Sequence, residues 1–301
     1  MNKTMTYTAM PGILRTFLEL IKIRIALFSS LTVLAGFVFA VGRVTFTAFI
    51  TTACVFILAA GSCALNEYQE REVDALQERT SGRPIPTKRL SPVTALLIAI
   101  VLISSGFFLL DFTAGWIPAT LGGFAALWYN GVYTPLKRRM PFAAVAGALS
   151  GALPPCVGWT AAGGSLGDPR IQAVALFFFL WQIPHFWLLL LSRGEHVVKH
   201  RGPEGLAPPA GILERTQLLR LSSVWICATA VLGMLLPLFG LVQSLWAMII
   251  LVGSSIGLLI PALRLPLRPL QRSNPGLALG ALHAFTLITV LTAVADRLIN
   301  P

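Results

Sequence analysis

Asn66, Glu70 and Asp74 recur every fourth residue in NEYQEREVDALQERTSGRPIPTKRLSP, residues 66–92. On a helix each four-residue step turns about 40°, so the three oxygen-bearing side chains share one stripe over roughly 12 Å. Such a stripe suits a hard cation. Magnesium takes few protein carboxylates, keeps waters and fills the rest of its shell with substrate phosphates. Arg79 and Arg83 follow at once, and a second basic cluster, Lys137, Arg138 and Arg139, comes after Tyr133-Thr134-Pro135-Leu136. Carboxylates and cations packed together are what a metal-bridged diphosphate requires. The metal neutralises the leaving group while guanidinium and ammonium groups take up the charge that develops on it. The plainer alternative is a solvated acidic segment in which Glu67 and Arg71 form an ordinary i,i+4 pair, with residues 137–139 as a topology signal.

The elements that must position these residues are membrane helices. The chain has 301 residues, 55% apolar and 12% charged, where a soluble domain carries about 25% charged residues. Its formal charge of +11 comes from Lys and Arg lying between apolar runs, which read as topology signals and anion contacts rather than a nucleic-acid footprint. Nine stretches have the roughly 20 mostly apolar residues that a span needs: 25–42, 44–65, 93–110, 115–134, 142–162, 171–191, 221–240, 245–263 and 276–295. With the N-terminus inside, segments 1–24, 66–92, 135–141, 192–220 and 264–275 are cytoplasmic and hold 20 of the 23 Lys and Arg residues. That bias predicts N-in, C-out in a plasma (inner) membrane. The expected fold class is all-α: a polytopic nine-helix bundle forming one domain over 1–301.

Residues 13–25 place Leu14, Phe17, Leu18, Ile21 and Ile25 on one helical face and Arg15, Glu19 and Lys22 on the other. This predicts an interfacial helix leading into the first span. Cys54, Cys63, Cys156 and Cys227 are widely spaced within apolar runs, a pattern of packing residues rather than of a disulfide framework or a zinc site.

The pattern N-x-x-x-[DE]-x-x-x-D followed by E-R-T-x-x-R-P resembles the intramembrane prenyltransferase superfamily that includes 4-hydroxybenzoate polyprenyltransferase. Three further stretches resemble its heme-farnesylating branch. They are Tyr133-Thr134-Pro135-Leu136-Lys137-Arg138, residues 147–158 (GALSGALPPCVG) leading to Trp159, and Trp181-Gln182-Ile183-Pro184-His185-Phe186. The resemblance implies a nine-helix bundle around a central cavity with a magnesium site at its cytoplasmic mouth. It also implies transfer of farnesyl from farnesyl diphosphate to a vinyl group of heme b, with heme as substrate rather than cofactor. Asn66, Glu70 and Asp74 would hold Mg2+; Arg79, Arg83, Lys137 and Arg138 would hold the diphosphate; Tyr133, Trp181, His185 and Glu195 would line the substrates. Heme-biosynthesis or terminal-oxidase assembly proteins are the implied partners, with no nucleic acid.

Three departures stand out. Glu70 occupies a position where the superfamily usually has Asp, and Ile23 replaces a Pro common before the first span's Arg. The loop after the sixth span reads Ser192-Arg193-Gly194-Glu195-His196 and then Pro203-Glu204-Gly205-Leu206-Ala207-Pro208, where an Asp-Tyr pair and a Pro-Leu-Pro element are usual. Glu195 is the expected second metal contact. Other acceptors (4-hydroxybenzoate, another quinone precursor, a chlorin) and a transporter role stay open at this point.

Among single residues, His185 is a candidate heme contact, because a neutral imidazole is a common iron ligand and intramembrane polar groups are costly. His196 and His283 are weaker candidates. Pro154-Pro155 is expected to unwind the fifth span. Trp128, Tyr129 and Trp159 could shield a cation or belong to the interfacial belt.

Overall fold

The computed structural model describes residues 12–137, 139–140, 142–192, 215–267 and 274–301. The chain is helical throughout these residues, with no strand. The elements are α1 (Gly12–Leu20), α2 (Ile23–Val41), α3 (Phe46–Leu76), α4 (Pro92–Ala114), α5 (Trp116–Leu127), α6 (Thr134–Leu136), α7 (Ala143–Ala161), α8 (Pro169–Ser192), α9 (Arg215–Leu235), α10 (Leu245–Leu267) and α11 (Pro275–Ile299). Seven helical segments among the described residues are long and apolar enough to cross a membrane. Their outward faces carry large apolar side chains such as Phe28, Phe46, Phe112 and Ile249, all exposed. In water such a surface would aggregate; in lipid it is solvated.

Sequential neighbours pack along one another from α2 to α5, on through α7 to α11, and α11 returns to α2, so the helices close a ring. The ring is pinched where α2 crosses to α7 and α8 to α11. The α2–α7 contact depends on small residues. A side chain at Gly36 would strike the Pro155 backbone, and one at Gly158 would strike the carbonyl of Val33. On the α8–α11 side, Phe177, Trp187, Leu188, Ile226, Leu251, Leu282 and Phe285 form one buried core.

The polar stripe continues the helix of the apolar run before it, so α3 extends unbroken from Phe46 to Leu76. At 31 residues it is about 46 Å long, more than the roughly 30 Å thickness of a bilayer's hydrocarbon. Pro154 and Pro155 do not unwind α7, which stays helical through both; packed neighbours make interior prolines tolerable in membrane helices. The N-terminal amphipathic helix does not run to residue 25. It stops at Leu20, and Lys22 takes a left-handed conformation (φ 47°, ψ 56°) before α2 begins. Such a backbone costs a non-glycine residue on the order of 1 kcal/mol.

Candidate active site

The stripe forms as expected and points inward. Asn66, Glu70 and Asp74 are all buried, and so is Glu67 beside them. Each of the three spaced donors meets its own cation. Lys22 Nζ donates to Asn66 Oδ1 at 2.5 Å, Lys137 Nζ to Glu70 Oε2 at 2.7 Å, and an Arg83 guanidinium nitrogen to Asp74 Oδ2 at 2.5 Å. These cations come from three separate segments: the turn after α1, the end of α6 and the loop at 77–91. Burial holds the Lys22 ammonium below the usual lysine range.

Local sequence explains the placements. Pro135 has no N–H, so the α-type bond back to residue 131 cannot form. The helix widens into a π-helical turn over Trp128–Tyr133, with the Thr134 backbone N–H bonded to the Tyr129 carbonyl. Such wide turns recur at functional sites. Here it aims Thr134 Oγ1 at α3, where it accepts from Asn66 Nδ2 at 3.0 Å while donating to the Tyr129 carbonyl at 2.8 Å. Gln69 Nε2 donates to the Asn130 carbonyl at 3.1 Å, a second tie between α3 and the π turn. On the loop, buried Thr80 donates to the Asp74 carbonyl at 3.0 Å and brings the chain round so that Arg83 meets Asp74. Arg89 fastens the same loop to α1 through Glu19, at 2.6 Å.

Beside the stripe lies an aromatic shelf. Tyr133 stacks on Phe186 with ring centroids 5.6 Å apart, and Lys137 Nζ sits 5.4 Å over the Tyr133 ring. Gly147 makes room for it, since a β-carbon there would lie 2.7 Å from the Tyr133 ring. Farther round, Trp181 stacks on His185 at 4.9 Å, and His185 Nδ1 is 2.8 Å from His283 Nε2.

The sequence-selected residues therefore divide. Asn66, Glu70, Asp74, Arg83, Lys137 and Tyr133 converge; Trp181, His185 and Phe186 line the adjoining helix. Arg79 is exposed on the loop. Arg138, Glu195 and His196 lie outside the described residues. Glu67 does not pair with Arg71: it is fully buried and neither carboxylate oxygen has a hydrogen-bond partner, while Arg71 bonds Glu72 and the Tyr68 carbonyl. Trp159 belongs to a different end of the fold, where its indole donates to the Ser165 carbonyl and Arg170 lies over its ring. Trp128 donates to the Ala146 carbonyl and joins the π turn to α7. Sequence reasoning missed Lys22 and Glu67. Glu67 adjoins Asn66 on the inward side of the stripe and could have been found by widening it. Lys22 carries no such signal, because its inward turn depends on a left-handed residue that helical periodicity does not report.

Among the described residues, no three His, Cys, Asp or Glu side chains stand close enough to share one ion. Magnesium does not require three, since an amide oxygen, one or two carboxylates, waters and phosphate oxygens complete its shell. Hard oxygen donors on one buried face, with a second oxygen on each of Glu70 and Asp74 besides the one that meets its cation, fit that ion.

The chain matches the model of the UbiA prenyltransferase family over residues 29–277. It belongs to that family. It is 43% identical over 227 residues, 75% of this chain and 82% of the relative, to a protoheme IX farnesyltransferase of Geobacter sulfurreducens. A protoheme IX farnesyltransferase of Nitratidesulfovibrio vulgaris (strain DP4) is 35% identical over 282 residues, 94% of this chain and 95% of the relative. In fold, the chain is similar to a UbiA homolog from Archaeoglobus fulgidus bound to GPP and Mg2+, with a TM-score of 0.67, 17% identity and coverage of 94% of this chain and 99% of that one. UbiA family membership makes the chain an intramembrane prenyltransferase, and the buried stripe is its polar centre.

Proposed function

We propose that this UbiA-family enzyme converts heme b to heme o by transferring farnesyl from farnesyl diphosphate to a heme vinyl group. The observation that carries the reading is the buried row of Asn66, Glu70 and Asp74, each faced by a cation from a different segment. The farnesyltransferase names of the two bacterial relatives and the GPP and Mg2+ bound by the archaeal homolog support it.

In this reading Asn66, Glu70 and Asp74 hold Mg2+, which supplies charge neutralisation of the diphosphate. Arg83 and Lys137, with Arg79 and Arg138, bind the diphosphate oxygens and stabilise the charge that collects there as the C1–oxygen bond breaks. The allylic cation is attacked by the terminal vinyl carbon of heme. The positive charge moves to the carbon beside the porphyrin, and water adds there and gives up a proton. The products are a hydroxyethylfarnesyl substituent and pyrophosphate. The Tyr133–Phe186 shelf keeps water from the first cation until the carbon–carbon bond forms, and His185 contacts the heme. Nine spans surround a central cavity, with the N-terminus and this site on the cytoplasmic side. The whole chain acts as one domain, and Glu195 supplies a further metal contact.

The test is to incubate membranes containing the protein with heme b, farnesyl diphosphate and magnesium, and to weigh the porphyrin product. A hydroxyethylfarnesyl adduct is expected. Pyrophosphate release with 4-hydroxybenzoate but not with heme b moves the assignment to another acceptor; absence of magnesium-dependent pyrophosphate release removes it.

A further inference from the structure

Lys22 is the least expected residue in the polar centre. It stands at the N-cap of α2, where a cation faces the positive end of the helix dipole and where its side chain caps nothing. Its backbone is left-handed, although Lys gains nothing local from that conformation. What the turn accomplishes is distant: it sends the ammonium group 44 residues along the chain to Asn66 Oδ1, at 2.5 Å. There it lies within electrostatic reach of Arg83, Lys137 and Glu70. Strain held in a backbone and spent on one polar contact points from geometry to function.

The pairing at Asn66 also completes a pattern. Lys22 meets the only side-chain oxygen of Asn66, whereas Lys137 and Arg83 each meet one of the two oxygens of Glu70 and Asp74. An oxygen donor cannot serve an ammonium hydrogen bond and a metal bond along the same lone pair. When a metal takes the Asn66 oxygen, the half-buried Lys22 ammonium loses its partner and needs an anion, and a diphosphate supplies the acceptor oxygens. Conversely, a diphosphate arriving alone would draw Lys22 away and leave the buried Asn66 oxygen without its cation.

We propose that Lys22 is a diphosphate-binding residue that holds the Asn66 oxygen until substrate arrives and exchanges it for a diphosphate oxygen when a metal takes Asn66, so that metal and diphosphate binding are linked through this residue. This rests on the diphosphate-transfer reading given above, and it adds a residue and a linkage to it.

The experiment uses the full-length protein in lipid nanodiscs, with Mg2+ and inorganic pyrophosphate as probes followed by calorimetry. Saturating pyrophosphate should tighten Mg2+ binding at least about tenfold, and Mg2+ should tighten pyrophosphate by the same factor, because such coupling is reciprocal. Lys22→Met should weaken pyrophosphate at least about tenfold in saturating Mg2+, the effect of one charge-assisted contact. It should leave Mg2+ alone bound as tightly as in the parent or more tightly, since Asn66 is released. Lys22→Arg should recover most of the loss. Lys22→Met with parental pyrophosphate affinity and parental coupling overturns the proposal while leaving the transferase reading intact. Weakening of both probes in step with thermal stability, unrescued by Lys22→Arg, makes Lys22 a structural residue and also overturns it. A parent protein that binds neither probe and releases no pyrophosphate overturns the reading itself.

Discussion

Lys137 Nζ lies 2.7 Å from Glu70 Oε2, joining side chains 67 residues apart at a largely buried contact. The pair fixes the end of α6 against α3 and sets the distance between the two halves of the site. Removing one member of a buried pair strands the other, at a cost of about 3–5 kcal/mol. Glu70→Gln should therefore lower both thermal stability and turnover, the latter by at least about a hundredfold. Glu70→Asp restores the residue usual in the family and should keep activity within about tenfold. A Glu70→Gln protein with parental turnover at limiting magnesium would remove Glu70 from the metal site.

Asp74 gives the sharpest test of the metal assignment, because Arg83 and Thr80 already hold its side chain and backbone in place. Asp74→Asn keeps shape and hydrogen-bonding capacity while removing the charge. It should abolish farnesyl transfer and leave the protein in the membrane at parental abundance. Measured turnover in saturating magnesium would contradict the assignment.

The left-handed Lys22, the π turn before Thr134 and the orphaned Glu67 mark the limits of what periodicity can report. The stripe was legible because four-residue spacing on a helix fixes a common face whatever the surroundings. Apolar run lengths located the long helices for the same reason, and the stripe continues the second of those runs as one helix to Leu76. Pairing was not legible. Which cation meets which oxygen depends on how the α1 turn, the loop at 77–91 and the end of α6 converge, and that is a property of packing. The plainer alternative, a solvated Glu67–Arg71 pair, fails because Glu67 faces the core and Arg71 does not.

Gly147 leaves space for a ring rather than for a turn. Its missing side chain lets Tyr133 lie against Phe186, and Lys137 sits over that ring. Gly147→Val should displace Tyr133 and, through it, Lys137. The expected result is a rise of about tenfold in KM for farnesyl diphosphate, with a stability loss of about 1–3 kcal/mol from overpacking. Steady-state kinetics with heme b held saturating would show it; unchanged KM would separate the shelf from substrate binding.

His283 orients His185 through the 2.8 Å ring contact, and Trp181 stacks against it. Partners of a metal-binding imidazole commonly shift affinity by about 10–100-fold. His185→Ala should weaken heme b binding and alter its Soret band. His283→Ala should weaken binding less and change the band's position or width, while magnesium-dependent pyrophosphate binding stays parental in both. Identical heme spectra in all three proteins would place heme elsewhere.

Glu19 clamps the loop at 77–91 to α1, sitting between Arg15 at 2.8 Å and Arg89 at 2.6 Å. Partial burial raises its carboxyl, but the two guanidinium groups outweigh it and hold the net value below the usual range. A depressed folded-state value means the clamp's contribution is present above the ordinary glutamate range and is lost as pH falls through the folded value. Amide exchange over residues 77–91 should thus be flat from pH 8 to about 5 once corrected for intrinsic rates, and quicken only in stronger acid. Glu19→Gln should show the faster exchange at every pH.

Glu67 closes the case for a polar centre tuned to function rather than to stability. A carboxyl with no exposed surface, pushed up to about 7 by its burial, is costly to fold around, and natural chains keep such groups where activity demands them. Replacement by an apolar residue of similar volume removes the burial cost without opening a cavity. Glu67→Met should therefore raise the thermal midpoint by a few degrees and reduce farnesyl transfer at least about tenfold, while Glu67→Asp retains part of the activity. A Glu67→Met protein that melts lower and works normally would make the carboxylate a structural group, with a partner that forms only in the bilayer.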